Sequence, residues 1–182
     1  MKRIASSPQH EIHCSGGPIQ IKQRYKGDVS MLKGQGDWLP VISLDLETYV
    51  ASVVGAEMLS SWHGEALKSQ AFAARSYAMA HLALSATTAY HLGDTTRCQV
   101  FAWEKSTAPA SRSATKETRG ITLNYSGGIV ESLYAPNAQV SAEAHGRLGA
   151  SMSQSGAQQL AQGDFPSMPF SAGTTQEPRW RG

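Results

Sequence analysis

Two consecutive stretches decide the fold, LETYVASVVGAEM at positions 46–58 and GEALKSQAFAARSYAMAHLAL at positions 64–84. In the first stretch, apolar residues recur every three or four positions, which predicts a helix from about Asp45 to Met58. Asp45 stands where an N-cap belongs. The second stretch is rich in Ala and free of Pro, so it predicts a helix from about Gly64 to Leu84. Together the two stretches predict a helical hairpin.

The sequence around the hairpin predicts strands. Residues 1–45 alternate apolar and polar side chains between glycine turns, which indicates two or three antiparallel strands. Downstream, Tyr90–Trp103 is expected to be loop and strand, Ser111–Arg119 a short helix that Gly120 ends, and Ser151–Gln162 one helix. The runs Ile121–Tyr125 and Ile129–Tyr134 predict a strand hairpin around Ser126-Gly127-Gly128.

These elements predict an α+β fold, with antiparallel strands packed around the central helical hairpin. A chain of 182 residues with 41% hydrophobic residues suits one core, so residues 1–163 are expected to form a single domain. Residues 164–182 contain Pro, Gly and Ser and are expected to form a poorly ordered tail.

Composition narrows the classes of function. Charged residues make up only 16% of the chain and the net charge is +2, which is too mild for a protein that binds nucleic acid by neutralising phosphates. No window reaches the roughly 18 apolar residues of a membrane span, and no signal peptide is visible at the start. Walker, dinucleotide-binding and Gly-x-Ser-x-Gly motifs do not occur either.

Glu57 is the candidate catalytic residue that the helix pattern itself indicates. It lies on the apolar stripe of its helix, where an unpaired carboxylate is costly to bury. Desolvation favours the neutral carboxyl, which can serve as a general acid and then as a base. The alternative is that Glu57 simply marks a helix end at a solvated boundary.

Lys68 and Arg75 are candidate substrate-binding residues on the second helix. They lie seven residues apart, on one helix face, and antiparallel packing could bring both near Glu57. There they would hold anionic groups of a substrate. Two alternatives remain equally open: a solvated face, or a Glu–Arg pair that holds the two helices together.

The cysteines and histidines do not predict a metal site. His10, His13 and Cys14 form a His-x-x-His-Cys cluster, and His91 and Cys98 are two further possible ligands, but their spacing matches no standard zinc pattern. Cys98 is better explained as a small buried residue. No cofactor is predicted.

Several stretches resemble the stage II sporulation protein D family, which includes amidase enhancers. The resemblance rests on the two helical stretches with Trp62 between them, on DTTRCQVF at positions 94–101, on TRGITL at 118–123 and on MSQSGAQQLA at 152–161. It implies a lytic transglycosylase that cleaves peptidoglycan glycan strands between N-acetylmuramic acid and N-acetylglucosamine and leaves a 1,6-anhydro end. Glu57 falls on the catalytic glutamate of the family, and Lys68 and Arg75 fall on positions associated with activity.

The resemblance also implies partners and a location. The expected substrate is the glycan strand, with Gln99 as a hydrogen-bonding wall of the groove, and an envelope location follows from that substrate. The alternatives are a glycan-binding module that stimulates a cell-wall amidase without cleaving glycan, and a degenerate structural remnant.

The chain departs from the family in several places. Leu59 and His63 replace two usual prolines. Leu92 stands where some members carry a further cysteine near their zinc site, so zinc is not expected. The stretch between Tyr134 and His145-Gly146 is short, which is expected to shorten one wall of the groove.

Overall fold

Short antiparallel strands precede the helices. The computed structural model describes residues 11–14, 19–20, 24–25, 28–33, 38–84, 90–93, 98–101, 107–145, 151–163 and 179–181. One antiparallel sheet has the order β1 (Glu11–Cys14), β4 (Asp28–Lys33), β5 (Trp38–Ser43), and a small antiparallel pair joins β2 (Ile19–Gln20) to β3 (Arg24–Tyr25). The prediction of antiparallel strands in this region is confirmed.

The helical hairpin forms where the apolar spacing predicts it. Helix α1 (Leu46–Glu57) begins at Asp45, whose carboxylate accepts a hydrogen bond from the Thr48 amide at 3.0 Å. Helix α2 (Gly64–Leu84) follows after a six-residue connection. Their facing sides are buried and form the centre of the hydrophobic core, to which α1 gives Val50, Val53 and Val54 and α2 gives Ala66, Leu67, Ala71, Ala73 and Ala74.

Helix α2 is the central element of the fold. It packs against α1, against α3 (Pro109–Glu117) and α5 (Gln154–Gln162), and against strand β6 (Thr122–Tyr125). Helix α3 has a proline in its first turn, where the missing N–H costs no helical hydrogen bond. The chain leaves α3 through Gly120, whose φ of +74° suits glycine.

The predicted strand hairpin is present but short. Strand β6 pairs antiparallel with β7 (Gly128–Ile129), and the turn between them has positive φ at Ser126 and Gly127. Strand β10 (Arg179–Arg181) pairs with the other edge of β6. The rest of the expected tail, 164–178 and 182, lies outside the described residues.

The region after β7 differs from the expectation in three ways. The expected strand Ile129–Tyr134 is divided, because the chain leaves β7 and starts a new strand, β8 (Leu133–Ala135). The expected helix Ser151–Gln162 begins with a strand, β9 (Ser151–Ser153), before α5. An unexpected helix, α4 (Ala138–His145), connects β8 to β9.

The pairing of β8 with β9 is parallel, which corrects the expectation that all strands are antiparallel. A parallel pair needs a crossover of about a dozen residues or more, and residues 136–150, with α4 inside them, supply it. The parallel pair and α5 then cover one side of α2, where Met152, Ala157 and Ala161 join the core. The α+β prediction is confirmed, and no helix in the described part of the chain is long and apolar enough to cross a membrane.

Candidate functional site

Glu57 is the last residue of α1, and one of its carboxyl oxygens is fixed by two donors. The backbone N–H of Val100 donates to Oε1 at 3.0 Å, and the hydroxyl of Tyr134 donates to the same oxygen at 3.2 Å. Within the described residues, Oε2 takes no hydrogen bond. Glu57 is only partly buried, so the carboxyl is fixed through one oxygen while the other takes no bond from the described residues.

Two segments that are distant in sequence supply these donors. Val100 follows Gln99 in the irregular stretch 98–101, and Tyr134 is the middle residue of β8. Burial and the nearby Glu57 carboxylate raise the pKa of the Tyr134 hydroxyl. Tyr134 therefore keeps its proton and remains a donor to Glu57.

Gln99 lies below the surface of the site rather than on a groove wall. Its side chain is fully buried, accepts a hydrogen bond from the Tyr49 hydroxyl at 3.0 Å and donates to the Ala74 carbonyl at 3.4 Å. The expected direct contact with glycan is thus corrected, because a side chain with no exposed surface cannot touch a substrate.

Arg75 is also fully buried, and it faces Glu47 rather than Glu57. Its guanidinium holds both oxygens of Glu47, at 3.0 and 2.8 Å, and donates to the Ile121 and Thr115 carbonyls. The structure therefore corrects the expected substrate contact of Arg75. It favours the alternative in which a Glu–Arg pair holds the two helices together.

Lys68 keeps part of its surface exposed but is engaged by carboxylates. Its Nζ lies 2.8 Å from Glu65 in the same helix and 2.7 Å from Glu117 at the end of α3. The hydrogen bonds to Glu117 and Glu65 raise the pKa of Lys68. Among the described residues, no hydrogen bond or ion pair joins Glu57 to Lys68 or Arg75.

The connection between α1 and α2 is held without the two prolines of the family. The backbone N–H of His63 donates to the side chain of Gln158 in α5 at 2.8 Å, a bond that proline could not make. The His63 ring accepts from the Glu65 N–H at 3.3 Å, so it caps the start of α2. Trp62 packs against the core, whereas Leu59 is 64% exposed.

Cys98 is the first residue of the stretch 98–101, whose Val100 amide donates to Glu57. Its sulfur lies close to Gly93. Among the residues that the structure describes, no three His, Cys, Asp or Glu side chains come together. The side chains of His10, His13 and Cys14 lie outside the described set, and the expectation that the chain holds no zinc stays a prediction.

Sequence reasoning missed three members of this site: Tyr49, the Val100 amide and Tyr134. Tyr49 stacks on Phe101, with ring centroids 5.6 Å apart, which fixes the 98–101 segment beside α1. The hydroxyl of Tyr49 was the one signal in the sequence, because the hydroxyl of a half-buried tyrosine needs a hydrogen-bond partner. The Val100 amide has no sequence signal at all.

A carboxyl with one anchored oxygen and one unengaged oxygen can perform general acid–base chemistry. This site defines a class of protein, an α+β domain that holds a partly exposed glutamate, Glu57, at the end of the first helix of its hairpin. The family model described as Stage II sporulation protein (SpoIID) matches residues 34–125, which hold the hairpin, Glu57 and the 98–101 segment. The chain belongs to this family, which has a cell-wall-related role.

A similar protein is known from a spirochaete. An uncharacterized protein of Brachyspira hyodysenteriae is 30% identical over 112 residues, which are 61% of this chain and 30% of that protein. The present chain thus spans less than a third of the length of that relative. The printed name of that relative states no activity, so this similarity assigns none to the present chain.

Proposed function

We propose that this protein is a peptidoglycan lytic transglycosylase with Glu57 as its general acid and base. The observation that carries the proposal is the asymmetric carboxyl: Oε1 is anchored by Val100 and Tyr134, while Oε2 takes no hydrogen bond from the described residues. A residue that first gives and then takes one proton needs this combination of fixed geometry and an available oxygen. Glu57 is also partly exposed, which is compatible with contact to a substrate.

The reaction needs only one carboxyl. Oε2 of protonated Glu57 gives its proton to the oxygen between N-acetylmuramic acid and N-acetylglucosamine, and the bond from that oxygen to C1 breaks. The C6 hydroxyl of the same muramic acid attacks C1 and passes its proton to the Glu57 carboxylate. The product is a 1,6-anhydro ring, no water is added, and Glu57 is again protonated. Ordinary glycosidases instead need a second carboxyl at a defined distance.

Lys68 is the proposed contact for the lactyl carboxylate of the substrate. It is the one of the two expected cations that keeps exposed surface, since Arg75 has none. Its present partners, Glu65 and Glu117, form partly exposed ion pairs, which solvent screens and which therefore contribute little to stability. A substrate carboxylate can therefore replace them at small cost. Because peptidoglycan lies outside the cytoplasmic membrane, the proposal includes an envelope or extracytoplasmic location.

The test is digestion of purified glycan strands without stem peptides, followed by mass spectrometry of the ends. The protein is compared with Glu57→Gln, which keeps the size of the side chain, and with Glu143→Gln, which changes an exposed glutamate on α4. We expect anhydro-muramyl ends from the protein and from Glu143→Gln, and a loss of at least about a hundredfold in Glu57→Gln.

Three other outcomes would contradict the proposal. Reducing ends carrying added water would mean hydrolysis. Anhydro ends from Glu57→Gln at the normal rate would remove Glu57 from the chemistry. Absence of products with retention of glycan in a pull-down would favour the alternative, a glycan-binding module that stimulates a cell-wall amidase.

A further inference from the structure

The Val100 N–H that donates to Glu57 belongs to a stretch of backbone that no sheet holds. Within the described residues, 98–101 pairs with no strand, so the direction of this N–H depends on the side chains next to Val100. Gln99 and Phe101 are buried, whereas Val100 between them is only half-buried. The two neighbours of Val100 therefore both enter the core, and their contacts there decide where its N–H points.

One side of Val100 is held by α2. The Gln99 side chain donates to the Ala74 carbonyl at 3.4 Å, and its oxygen accepts from the Tyr49 hydroxyl at 3.0 Å. Because a carbonyl can only accept, the bond to Ala74 by itself fixes which end of the Gln99 amide faces α2. This side of the stretch thus has an anchor that needs no aromatic ring.

The other side is held by α1 through two stacked rings. Phe101 is 8% exposed, and its ring lies on that of Tyr49 with 10° between the ring planes and 5.6 Å between the centroids. Aromatic pairs at such separations attract each other beyond their apolar burial. Tyr49 and Glu57 lie in the same helix, roughly 12 Å apart along its axis at 1.5 Å per residue. The stack therefore fixes this end of the stretch relative to Glu57.

We infer that Phe101 is a positioning residue, whose stacking on Tyr49 aims the Val100 N–H at Oε1 of Glu57. The inference rests on the proposed function, since the aim of this donor matters to a residue that gives a proton and takes one back. Once Glu57 has given its proton, a donor that is already in place stabilises the carboxylate without rearrangement. Phe101 is almost entirely buried, so it acts through Val100 and not by touching substrate.

The test compares two substitutions of phenylalanine by leucine. Phe101→Leu keeps an apolar side chain and removes the stacked ring. Phe72→Leu is the matched control, because Phe72 on α2 is also 8% exposed and should lose a comparable free energy of unfolding. Tyr49→Leu removes the other ring and serves as the second variant if Phe101→Leu does not fold. Tyr49→Phe is the conservative variant, because it keeps the stack and removes only the hydroxyl.

The structural readout is hydrogen exchange of the Val100 amide, measured by NMR relative to the Met58 amide at the end of α1. We expect this ratio to rise about fivefold to tenfold in Phe101→Leu and Tyr49→Leu, the factor that one net hydrogen bond is worth. It should stay within about twofold in Tyr49→Phe and in Phe72→Leu. A purely structural role would speed both amides together and leave the ratio unchanged.

The kinetic expectation for Phe101→Leu is a fall in kcat of about fivefold to tenfold with an unchanged KM, because the change acts on the reacting carboxyl and not on substrate binding. Tyr49→Phe should retain most of the kcat that Tyr49→Leu loses. A raised KM with normal kcat in Phe101→Leu would contradict the inference, because it would mean a role in substrate binding.

An unchanged exchange ratio in folded Phe101→Leu or Tyr49→Leu overturns the inference, and so does an equal rise in Phe72→Leu. If the protein cleaves no glycan at all, the proposed function fails. The exchange of the Val100 amide then still decides whether the stacked rings aim this donor at Glu57.

Discussion

Arg75 and Glu47 form a two-pronged ion pair between α2 and α1, in which the arginine has no exposed surface. Removing one partner leaves the other charge without compensation. We expect Glu47→Gln to lower the free energy of unfolding by about 3 kcal/mol, at the low end for a broken buried pair because Glu47 is partly exposed. Urea denaturation measures this loss.

A control variant and a double variant test whether the loss comes from the Arg75–Glu47 ion pair. Lys116→Gln, which changes an exposed charge on α3, is expected to shift the free energy of unfolding by no more than about 0.5 kcal/mol. The double variant Glu47→Leu/Arg75→Met should recover much of the loss, since both charges leave together. A raised KM in folded Arg75→Met, with normal stability, would mean that Arg75 does bind substrate.

The cap of α1 predicts a dependence of stability on pH. The hydrogen bond from Thr48 lowers the pKa of Asp45 below its ordinary value of 3.8. A carboxyl with a lowered pKa in the folded state stabilises it above the unfolded pKa, and this contribution is lost as the pH falls through the folded pKa. We expect Asp45→Ala to cost about 1 kcal/mol at pH 6 and clearly less at pH 3.

The control for the cap is Asp45→Asn, because an asparagine side chain caps a helix without ionising. The difference in the free energy of unfolding between Asp45→Asn and Asp45→Ala should be similar at pH 6 and pH 3, as measured by urea denaturation. A cost of Asp45→Ala that does not change between pH 6 and pH 3 would show that the ionised carboxylate is not what stabilises the start of α1.

Local patterns in the sequence are enough to locate the helices that bury an apolar face. The spacing of Val50, Val53 and Val54 and the cap at Asp45 locate α1, and the alanine-rich stretch locates α2. Helix α4 escaped prediction because most of its residues are exposed and it has no apolar stripe. A helix without a buried face gives no periodic signal to read.

The parallel pair β8–β9 and the surroundings of Glu57 depend on contacts between distant residues. Leu133–Ala135 and Ser151–Ser153 are too short for a pattern that identifies their pairing. The apolar stripe of α1 predicts Glu57 as a candidate residue, and its catalytic role stays a prediction. Its partner Tyr134 lies 77 residues away in sequence, and only the folded chain brings the two together.

Lys68 offers a prediction on substrate binding. If its ammonium holds the lactyl carboxylate, Lys68→Gln should raise KM about fivefold and leave kcat nearly unchanged, because a charge contact at a partly exposed site is worth about 1 kcal/mol. Glu117→Gln removes a competing carboxylate and should lower KM slightly. Steady-state cleavage of glycan at two salt concentrations measures both.

Measurements at low and high salt distinguish a role of Lys68 in substrate binding from a purely structural role. The difference in KM between the protein and Lys68→Gln should shrink at high salt, because screening weakens exposed charge contacts. An unchanged KM in Lys68→Gln would leave Lys68 as a link between α2 and α3 through Glu117, with no part in holding substrate.

The last prediction concerns Gly156, where the close approach of Ser153 explains why a glycine stands within the segment 152–161. Ser153 caps α5 by accepting a hydrogen bond from the Gly156 N–H at 3.0 Å. A Cβ on residue 156 would lie 3.0 Å from the Ser153 Oγ and 3.2 Å from its Cβ. Alanine normally stabilises a helix by up to about 1 kcal/mol over glycine, yet here the cap would have to shift.

We therefore expect Gly156→Ala to lower the free energy of unfolding by about 1 kcal/mol, roughly the value of the cap that it displaces. Gly64→Ala is the matched control, because it lies in the first turn of α2 and a Cβ there meets nothing within 4 Å. That variant should be neutral or stabilising. Equal effects of the two substitutions in urea denaturation would contradict a steric role for Gly156. Because α5 also holds His63 through Gln158, a shift of its first turn should loosen the connection that follows Glu57 as well.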